Sequence, residues 1–242
     1  MRNPTLYFLQ QIELGGPNCQ PIALNWQLRT MWPWKLVSEN LKWDEHILIN
    51  NKSLVKQLGF RLTALSKLCN IANFKTRKMV ADGLFMSKLV YLIPLWGGCE
   101  SYLIRALQIV QNKAARCVTR RGKYTSTRNL LTECGWLSVN QLVFFHTVLL
   151  LFKVRKNKKP KCLFEMVVSA ENERYGSRSG QIGTLKVAES KVPVQRLNFE
   201  SFKWRSVRFW NQLPMELRVM EHQENFKNKL KSWVREHIDL WT

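Results

Sequence analysis

The sequence predicts a mainly α-helical protein, and two observations lead to this fold class. From about Asp44 onward, apolar residues recur at spacings of three and four, which places them on one face of successive helices. Prolines and glycines stand where these apolar stripes stop, as expected at helix ends. The strand structure that we predict is limited to a short β-hairpin near 180–195, around Leu185–Val187.

Three helices are predicted in the first half of the chain. Asp44 is suited to cap the first of them, because its carboxylate can accept hydrogen bonds from the free amides of a first turn. The apolar stripe of this helix is Val55, Leu58, Leu62, Leu65 and Cys69. A second helix is expected over about residues 75–92, closed by Pro94. A third is expected over about residues 102–120, with an inner face of Leu103, Leu107, Val110, Ala114 and Cys117.

The sequence pattern in the second half of the chain predicts further helices of unequal length. They lie at about residues 127–134, 139–155, 201–213 and 224–238, with a polar loop at 170–195. The inner face of the last helix is Phe226, Leu230, Trp233, Val234 and His237. We therefore divide the chain into an irregular N-terminal segment, 1–35, a helical unit, 36–122, and a smaller C-terminal helical unit, 123–242.

Net charge is the strongest signal in the composition. The 242 residues contain 38 Lys and Arg against 17 Asp and Glu, which gives a net charge of +21. Such an excess repels itself in a compact fold and attracts polyanions, so nucleic acid is the first partner to expect. The hydrophobic content of 45% allows a sizeable core and argues against long-range disorder.

The cysteine and histidine positions predict neither a metal site nor a cofactor. The six cysteines contain no Cys-x-x-Cys pair, and the four histidines are equally scattered. We expect buried, reduced thiols and therefore a reducing compartment. The strongest apolar stretch, 142–152, is far shorter than the ~20 residues of a membrane span. These features predict an intracellular protein, in the nucleus or cytoplasm, without a membrane partner.

The carboxylates argue against an enzyme. Nucleotidyl transfer by two metal ions needs clustered carboxylates that hold the cations about 4 Å apart. The three aspartates of the chain are Asp44, Asp82 and Asp239. No two of them are close in sequence, and Glu171 and Glu173 lie in a polar loop that favours a solvated pair. His146, on an apolar helix, is interpreted as a core residue. We expect no catalysis and no small-molecule substrate.

Four clusters of cations support nucleic-acid binding. The first two are Lys75, Arg77 and Lys78 at the start of the second helix, and Arg116, Arg120, Arg121 and Lys123 at the end of the third. The other two are Arg155, Lys156, Lys158 and Lys159 in the basic run 153–161, and Arg205 and Arg208 beside aromatic residues. Mobile cations of this kind suit phosphate contacts, without base-specific readout. For each cluster the alternative is a solvated face or the capping of a helix end.

Several runs of the sequence resemble the region after the catalytic palm in reverse transcriptases of non-LTR (LINE-like) retrotransposons. Residues 36–47, LVSENLKWDEHI, are similar to the passage L-G-x-x-x-D-x-x-L-x-W-x-x-H-I that closes the palm there, without its Leu-Gly lead-in. Residues 107–116, LQIVQNKAAR, are similar to the family's L-Q-x-x-Q-N-x-A-x-R. Further runs are FKTRKM at 74–79, PLWGGC at 94–99, LLTECGWLSV at 130–139, FKWR at 202–205 and FWNQLP at 209–214.

These runs follow the order of the family over roughly residues 36–240. The resemblance implies that residues 36–122 form a thumb-like unit that grips template–primer duplex. It implies backbone-holding roles for Lys75, Arg77, Lys78, Arg116 and Arg120. The fingers and most of the palm, with its Asp pair, have no counterpart here, so the resemblance implies a truncated piece without polymerase activity. The alternatives are a transposon relic without function, a basic protein-interaction module, and an accessory chain of a polymerase.

Overall fold

The computed structural model of the chain describes residues 43–50, 52–169, 183–187 and 202–237. These residues are mostly helical, so the predicted mainly α fold is confirmed. The chain forms two compact units, Met1–Gln57 and Leu58–Thr242. The predicted irregular segment, 1–35, lies outside the described residues.

In the first unit, a π-helical turn spans Glu45–Ile49. Asp44 precedes this turn without a side-chain hydrogen bond to it, so the predicted capping role of Asp44 was wrong. Helix α1, Leu54–Cys69, begins in this unit and continues into the second. In the second unit, the buried residues of its predicted stripe are Leu58, Leu65 and Cys69.

The second predicted helix is formed by a continuous helical path of three elements. Helix α2, Phe74–Ala81, begins at Asn73, whose side chain accepts a hydrogen bond from the amide of Thr76 at 2.9 Å. A π-helical turn, Asp82–Met86, then leads into α3, Ser87–Val90. The periodicity of the apolar residues therefore predicted the helical path, but it did not predict the π-helical turn at Asp82–Met86.

Pro94 has a different role from the predicted one. The helical path ends at Val90, because Tyr91 is extended, and Leu92 then adopts the left-handed conformation, with φ at 55°. A short helix α4, Ile93–Trp96, follows at once and has Pro94 in its first turn, where a missing N–H costs nothing. Trp96 is fully buried, and its Nε1 donates to the carbonyl oxygen of Tyr91 at 2.9 Å. Pro94 thus opens a helix instead of closing one.

Three helices form the middle of the second unit: α5, Ser101–Thr119; α6, Thr127–Cys134; and α7, Val139–Asn157. Ser126 caps α6, and Gly135, with φ at 67°, ends it. Ser138 and Gln141 form a reciprocal capping box at the start of α7. Because α5 and α6 pack on each other, the predicted boundary between residues 122 and 123 falls inside this unit.

The remaining elements are α8, Lys161–Glu165; β1, Val167–Ser169; β2, Leu185–Val187; α9, Phe202–Asn211; α10, Met215–Arg218; and α11, Gln223–His237. The two strands pair antiparallel, with Val167 opposite Val187. The strand predicted at 185–187 is confirmed, but its partner is β1, which precedes the predicted hairpin region of 180–195. The side-chain amide of Asn211 bonds both backbone groups of Leu185 at 2.9 Å and so ties β2 to α9.

Aromatic residues from α7, α9 and α11 fill the core beside these strands. The rings of Phe152 and Phe226 stack with centroids 4.1 Å apart. Trp210 is buried, and its Nε1 donates to the carbonyl oxygen of Gly183 at 2.8 Å. His237, predicted on the inner face of the last helix, is exposed, because it is the final residue of α11 and lies beyond the buried part of that face.

Helix α7 is strongly apolar. Most of its residues are buried within the protein, as predicted for a core helix. Among the described residues, no single helix has both the length and the apolar character needed to cross a membrane. Helices α6 and α7 meet those criteria only when taken together, with a bend of 46° between them.

Candidate nucleic-acid interface

The end of α1, the start of α2 and the end of α5 meet at one place, which we call the α1–α2–α5 junction. Arg77 of α2 donates from Nε to the carbonyl oxygen of Val118 in α5, at 2.8 Å, and from Nη1 to that of Ala72, at 2.7 Å. Arg120, just after α5, donates from Nε to the carbonyl oxygen of Cys69, at 2.7 Å. Two arginines thus satisfy carbonyl groups that helix ends leave without partners.

Arg77 belongs to the fold and not to a phosphate-binding surface. Its side chain is buried, at 5% exposure, and two of its nitrogens already donate to backbone carbonyls. Burial, followed by the positive charge of Arg120, lowers the pKa of the Arg77 guanidinium. The structure therefore gives Arg77 a role in joining helix ends, and we leave it outside the group of exposed cations.

A disulfide between Cys69 and Cys117 strengthens the same junction. Their Cα atoms are 6.3 Å apart, within the usual range for a disulfide, and 48 positions separate them in sequence. The expectation of reduced thiols was wrong for this pair, while the predicted compartment stays a prediction. Cys134 is buried outside any disulfide, and burial, followed by the charge of Glu133, raises its pKa to about 12. Its thiol is therefore protonated at neutral pH and a poor nucleophile.

Five predicted cations belong to the α1–α2–α5 junction and are at least partly exposed. We call these residues the α5-end cluster: Lys75, Arg116, Arg120, Arg121 and Lys123. Arg116 lies in the last turn of α5, and Arg120 follows the end of that helix. Arg121 forms an ion pair with Glu133 at 3.1 Å, and both side chains are exposed. An exposed pair of this kind contributes about 0–1 kcal/mol, so a phosphate can displace Glu133 at little cost.

Lys78, predicted in the same group, faces a carboxylate instead. Its Nζ lies 2.7 Å from one carboxylate oxygen of Asp82. The other oxygen of Asp82 accepts a hydrogen bond from Nε1 of Trp136 at 2.6 Å. Asp82 therefore joins α2 to the turn before α7, and Lys78 is its counter-ion. We leave Lys78 outside the α5-end cluster for this reason.

The basic run 153–161 divides into cations with partners in the fold and cations at its surface. The Arg155 guanidinium lies over the ring of Trp210, 5.0 Å from its centroid. Nζ of Lys156 donates to the carbonyl oxygen of Glu221 at 3.0 Å. Lys158 and Lys159 are exposed at the end of α7. This second exposed group lies in different elements from the α5-end cluster.

The two predicted arginines of α9 are held by the fold to different degrees. Arg205 is 2% exposed, and its guanidinium donates to the carbonyl oxygen of Pro94. This contact joins α9 to α4, so Arg205 has a structural role and we leave it outside the group of exposed cations. Arg208 is partly exposed, with its guanidinium 5.7 Å from the ring centroid of Phe209, and it lines a cleft of about 420 Å³ beside β2. Of these two arginines, only Arg208 can still reach a ligand.

The run at 107–116 that carries much of the resemblance has a structural role in the fold. Gln108 accepts a hydrogen bond from the amide of Val139 at 2.8 Å, and Gln111 donates to the carbonyl oxygen of Leu137 at 2.8 Å. Asn112 donates to the hydroxyl of Thr127 at 3.3 Å. These side-chain amides connect α5 to the start of α6 and to the start of α7. The run at 107–116 therefore has a role in helix packing.

One exposed aromatic residue was not among the predicted site residues. Tyr124 is 95% exposed, in the loop that joins α5 to α6. The sequence did contain a signal, because Tyr124 stands between Gly122 and Ser126, outside the apolar stripe of either helix. An aromatic residue that no helix face can bury is a candidate for contact with a ligand.

The described residues contain no group of three His, Cys, Asp or Glu side chains that could hold a metal ion. Asp239, Glu171 and Glu173 lie outside the described residues. Burial, followed by the positive charge of Lys153, lowers the pKa of His146 to about 4. His146 is therefore neutral at pH 7 and lies edge-on to the ring of Phe145, with centroids 5.2 Å apart.

The α5-end cluster can attract an anion and hold it against a rigid base of helix ends. Its cations are long and at least partly exposed, and the hydrogen bonds of Arg77 and Arg120 to backbone carbonyl groups join the helix ends. This arrangement suits phosphate groups and does not select a base. Comparisons with protein-family models, with curated proteins and with solved structures found no match for this chain.

Proposed function

We propose that this chain holds nucleic acid through its phosphates and without base selectivity. The ligand is RNA–DNA hybrid, RNA or DNA. In non-LTR reverse transcriptases the region after the palm grips the template–primer duplex, and we propose the same role for this chain. The observation that supports this most is the α5-end cluster, five cations at one junction in a chain of net charge +21. The chain adds no nucleotides itself, since its 242 residues contain no adjacent pair of aspartates.

The proposal relies on the contrast between the exposed cations and the rigid junction beneath them. Arg77 and the disulfide of Cys69 fix the helix ends by contacts within the protein. Arg120, one of the exposed cations of the cluster, also donates to the carbonyl oxygen of Cys69. Lys75 and Lys123 are exposed at the surface. A phosphate contact then orders only side chains and not the backbone, which keeps the entropy cost of binding small. The order of the sequence runs that resemble the family supports the same role.

Two double variants with equal charge test the proposal. Lys75→Gln with Lys123→Gln removes two charges from the α5-end cluster, and Lys227→Gln with Lys229→Gln removes two exposed charges from α11. Affinity for an RNA–DNA hybrid is measured by fluorescence anisotropy over a salt series. The first variant lowers the log–log salt slope by roughly 1.8, at ~0.9 for each lost phosphate contact, and the second leaves it near the wild-type value. Equal slopes for the two variants would remove the cluster from the interface.

Polyglutamate serves as a second ligand in the same assay. A nucleic-acid surface binds the hybrid more tightly than polyglutamate at equal salt, because only the former presents phosphates on a regular duplex. Equal affinities would favour the basic protein-interaction module instead. Urea unfolding without a cooperative transition would favour a relic without function. A primer-extension assay with Mg²⁺ and nucleotides is expected to give no incorporation, and incorporation by the purified chain would overturn the non-catalytic role.

A further inference from the structure

The loop that joins α5 to α6 presents one aromatic ring between cations. Residues 120–126 form this loop, in which the amide of Thr125 donates to the carbonyl oxygen of Gly122 at 3.2 Å. That hydrogen bond closes a turn and places Lys123 and Tyr124 at its two central positions. The exposed fraction of Tyr124 is 95%, the highest value for a large hydrophobic side chain in the described part of the chain.

Both ends of the loop are fixed. Arg120 donates to the carbonyl oxygen of Cys69 at the first end, next to the disulfide of Cys69. At the other end, the hydroxyl of Ser126 accepts from the amide of Asn129 at 3.3 Å. The ring of Tyr124 therefore projects from an anchored turn. An anchored, solvated ring loses little entropy when a flat partner covers it.

The groups around the ring indicate the chemistry of that partner. Arg121 and Lys123 are exposed and stand within three residues of Tyr124. A ligand that matches the exposed ring and the neighbouring cations needs a flat π-system to stack on tyrosine and an anionic group beside it. An unpaired nucleotide has this combination. In a duplex the faces of the bases are covered by their neighbours, so the ring has no partner along the duplex. Tyr91 differs, because Nζ of Lys88 already lies 5.5 Å from its ring centroid.

We propose that loop 120–126 binds an unpaired nucleotide of a single strand, with its base stacked on Tyr124 and its phosphates held by Arg121 and Lys123. This inference rests on the proposed function and adds a preference for single-stranded segments next to the duplex. Stacking on tyrosine does not depend on the identity of the base, so it is consistent with binding that does not select sequence.

The test uses Tyr124→Ala and Tyr124→Phe, with Tyr102→Ala as the matched control. Tyr102 is also exposed and lies at the opposite end of α5, about 25 Å away at 1.5 Å per residue. The probes are fluorescein-labelled oligothymidylate and a blunt RNA–DNA hybrid of equal length. Tyr124→Ala lowers affinity for oligothymidylate about 5- to 150-fold and leaves the hybrid and the salt slope unchanged. Tyr124→Phe and Tyr102→Ala stay within about 2-fold of wild type, since a phenyl ring still stacks.

The possible failures can be told apart. If Tyr124→Ala binds oligothymidylate as tightly as the wild type does, the stacking role is overturned. The proposed function still stands in that case, provided that the hybrid is bound. An equal loss on both probes would also overturn the stacking role, because the blunt hybrid offers the ring a base face only at its two ends. If the wild-type chain binds neither probe in a salt-dependent manner, the proposed function fails and the stacking role fails with it.

Discussion

Nε of Arg77 donates a hydrogen bond to the carbonyl oxygen of Val118 at 2.8 Å, and this bond joins the start of α2 to the last turn of α5. A charged side chain thus completes a helix end that would otherwise leave a carbonyl group buried without a partner. The positively charged side chains of this protein consequently fall into two groups. Some cations hold helix ends together, and others remain at the surface for a ligand.

Arg77→Met is expected to destabilise the fold by about 3 kcal/mol, because it leaves the buried carbonyl group of Val118 and the partly buried one of Ala72 without a charged donor. Lys75→Met is the control, since Lys75 is exposed in the same helix and its loss changes stability by no more than about 0.5 kcal/mol. Urea unfolding followed by circular dichroism measures both. Equal free energies of unfolding for the two variants would contradict the structural role of Arg77.

The sequence predicted the helices well where one face is apolar and the ends carry capping residues. Helix α6 was expected at about 127–134 and spans Thr127–Cys134, because Ser126 caps its start and Gly135 takes the left-handed conformation at its end. The third predicted helix, at about 102–120, is found at Ser101–Thr119. Local chemistry sets these ends, so a single sequence is enough to find them.

The candidate site was harder to predict, because charge alone does not separate a buried arginine from an exposed one. Ala81, Phe85 and Leu89 follow Arg77 at intervals of four residues, and all three are buried. Arg77 therefore stands on the buried stripe of its helix, and this spacing was a signal that its charge obscured. Nothing in the spacing of the cysteines gives the pairing of Cys69, since connectivity depends on how α1 and α5 meet.

Removal of the disulfide is expected to lower the free energy of unfolding by up to about 4 kcal/mol. The chain-entropy argument gives this value for a loop closed across 48 positions. Cys117→Ser tests it, with Cys99→Ser as the control, because Cys99 forms no disulfide. Mass spectrometry of peptides from the unreduced protein first shows whether Cys69 and Cys117 are linked. Unlinked peptides, or equal stability of the two variants, would contradict the expected contribution.

The stability of the fold is expected to fall as the pH drops from about 7 toward 4. Burial lowers the folded-state pKa of His146 to about 4, from about 6.5 in an unfolded chain. The unfolded state therefore binds a proton first, and the stability that His146 contributes is present above pH 6.5 and lost as pH falls through this window. The difference between pH 7 and pH 5 is about 2 kcal/mol. His146→Gln removes this part of the pH dependence, and an unchanged dependence in urea unfolding would contradict it.

Gly97 is expected to tolerate no side chain, because α4 and α7 approach each other closely there. A Cβ at Gly97 would lie 2.6 Å from Cγ1 of Val143 and 2.7 Å from the carbonyl oxygen of Ile93. Gly97→Ala therefore forces these helices apart and lowers the melting temperature, at a cost of about 1–3 kcal/mol. Gly59, inside α1, has nothing within 4 Å of the same position, so Gly59→Ala stabilises by about 0.5–1 kcal/mol. A melting temperature of Gly97→Ala at or above that of the wild type, measured by calorimetry, would contradict the close contact with Val143.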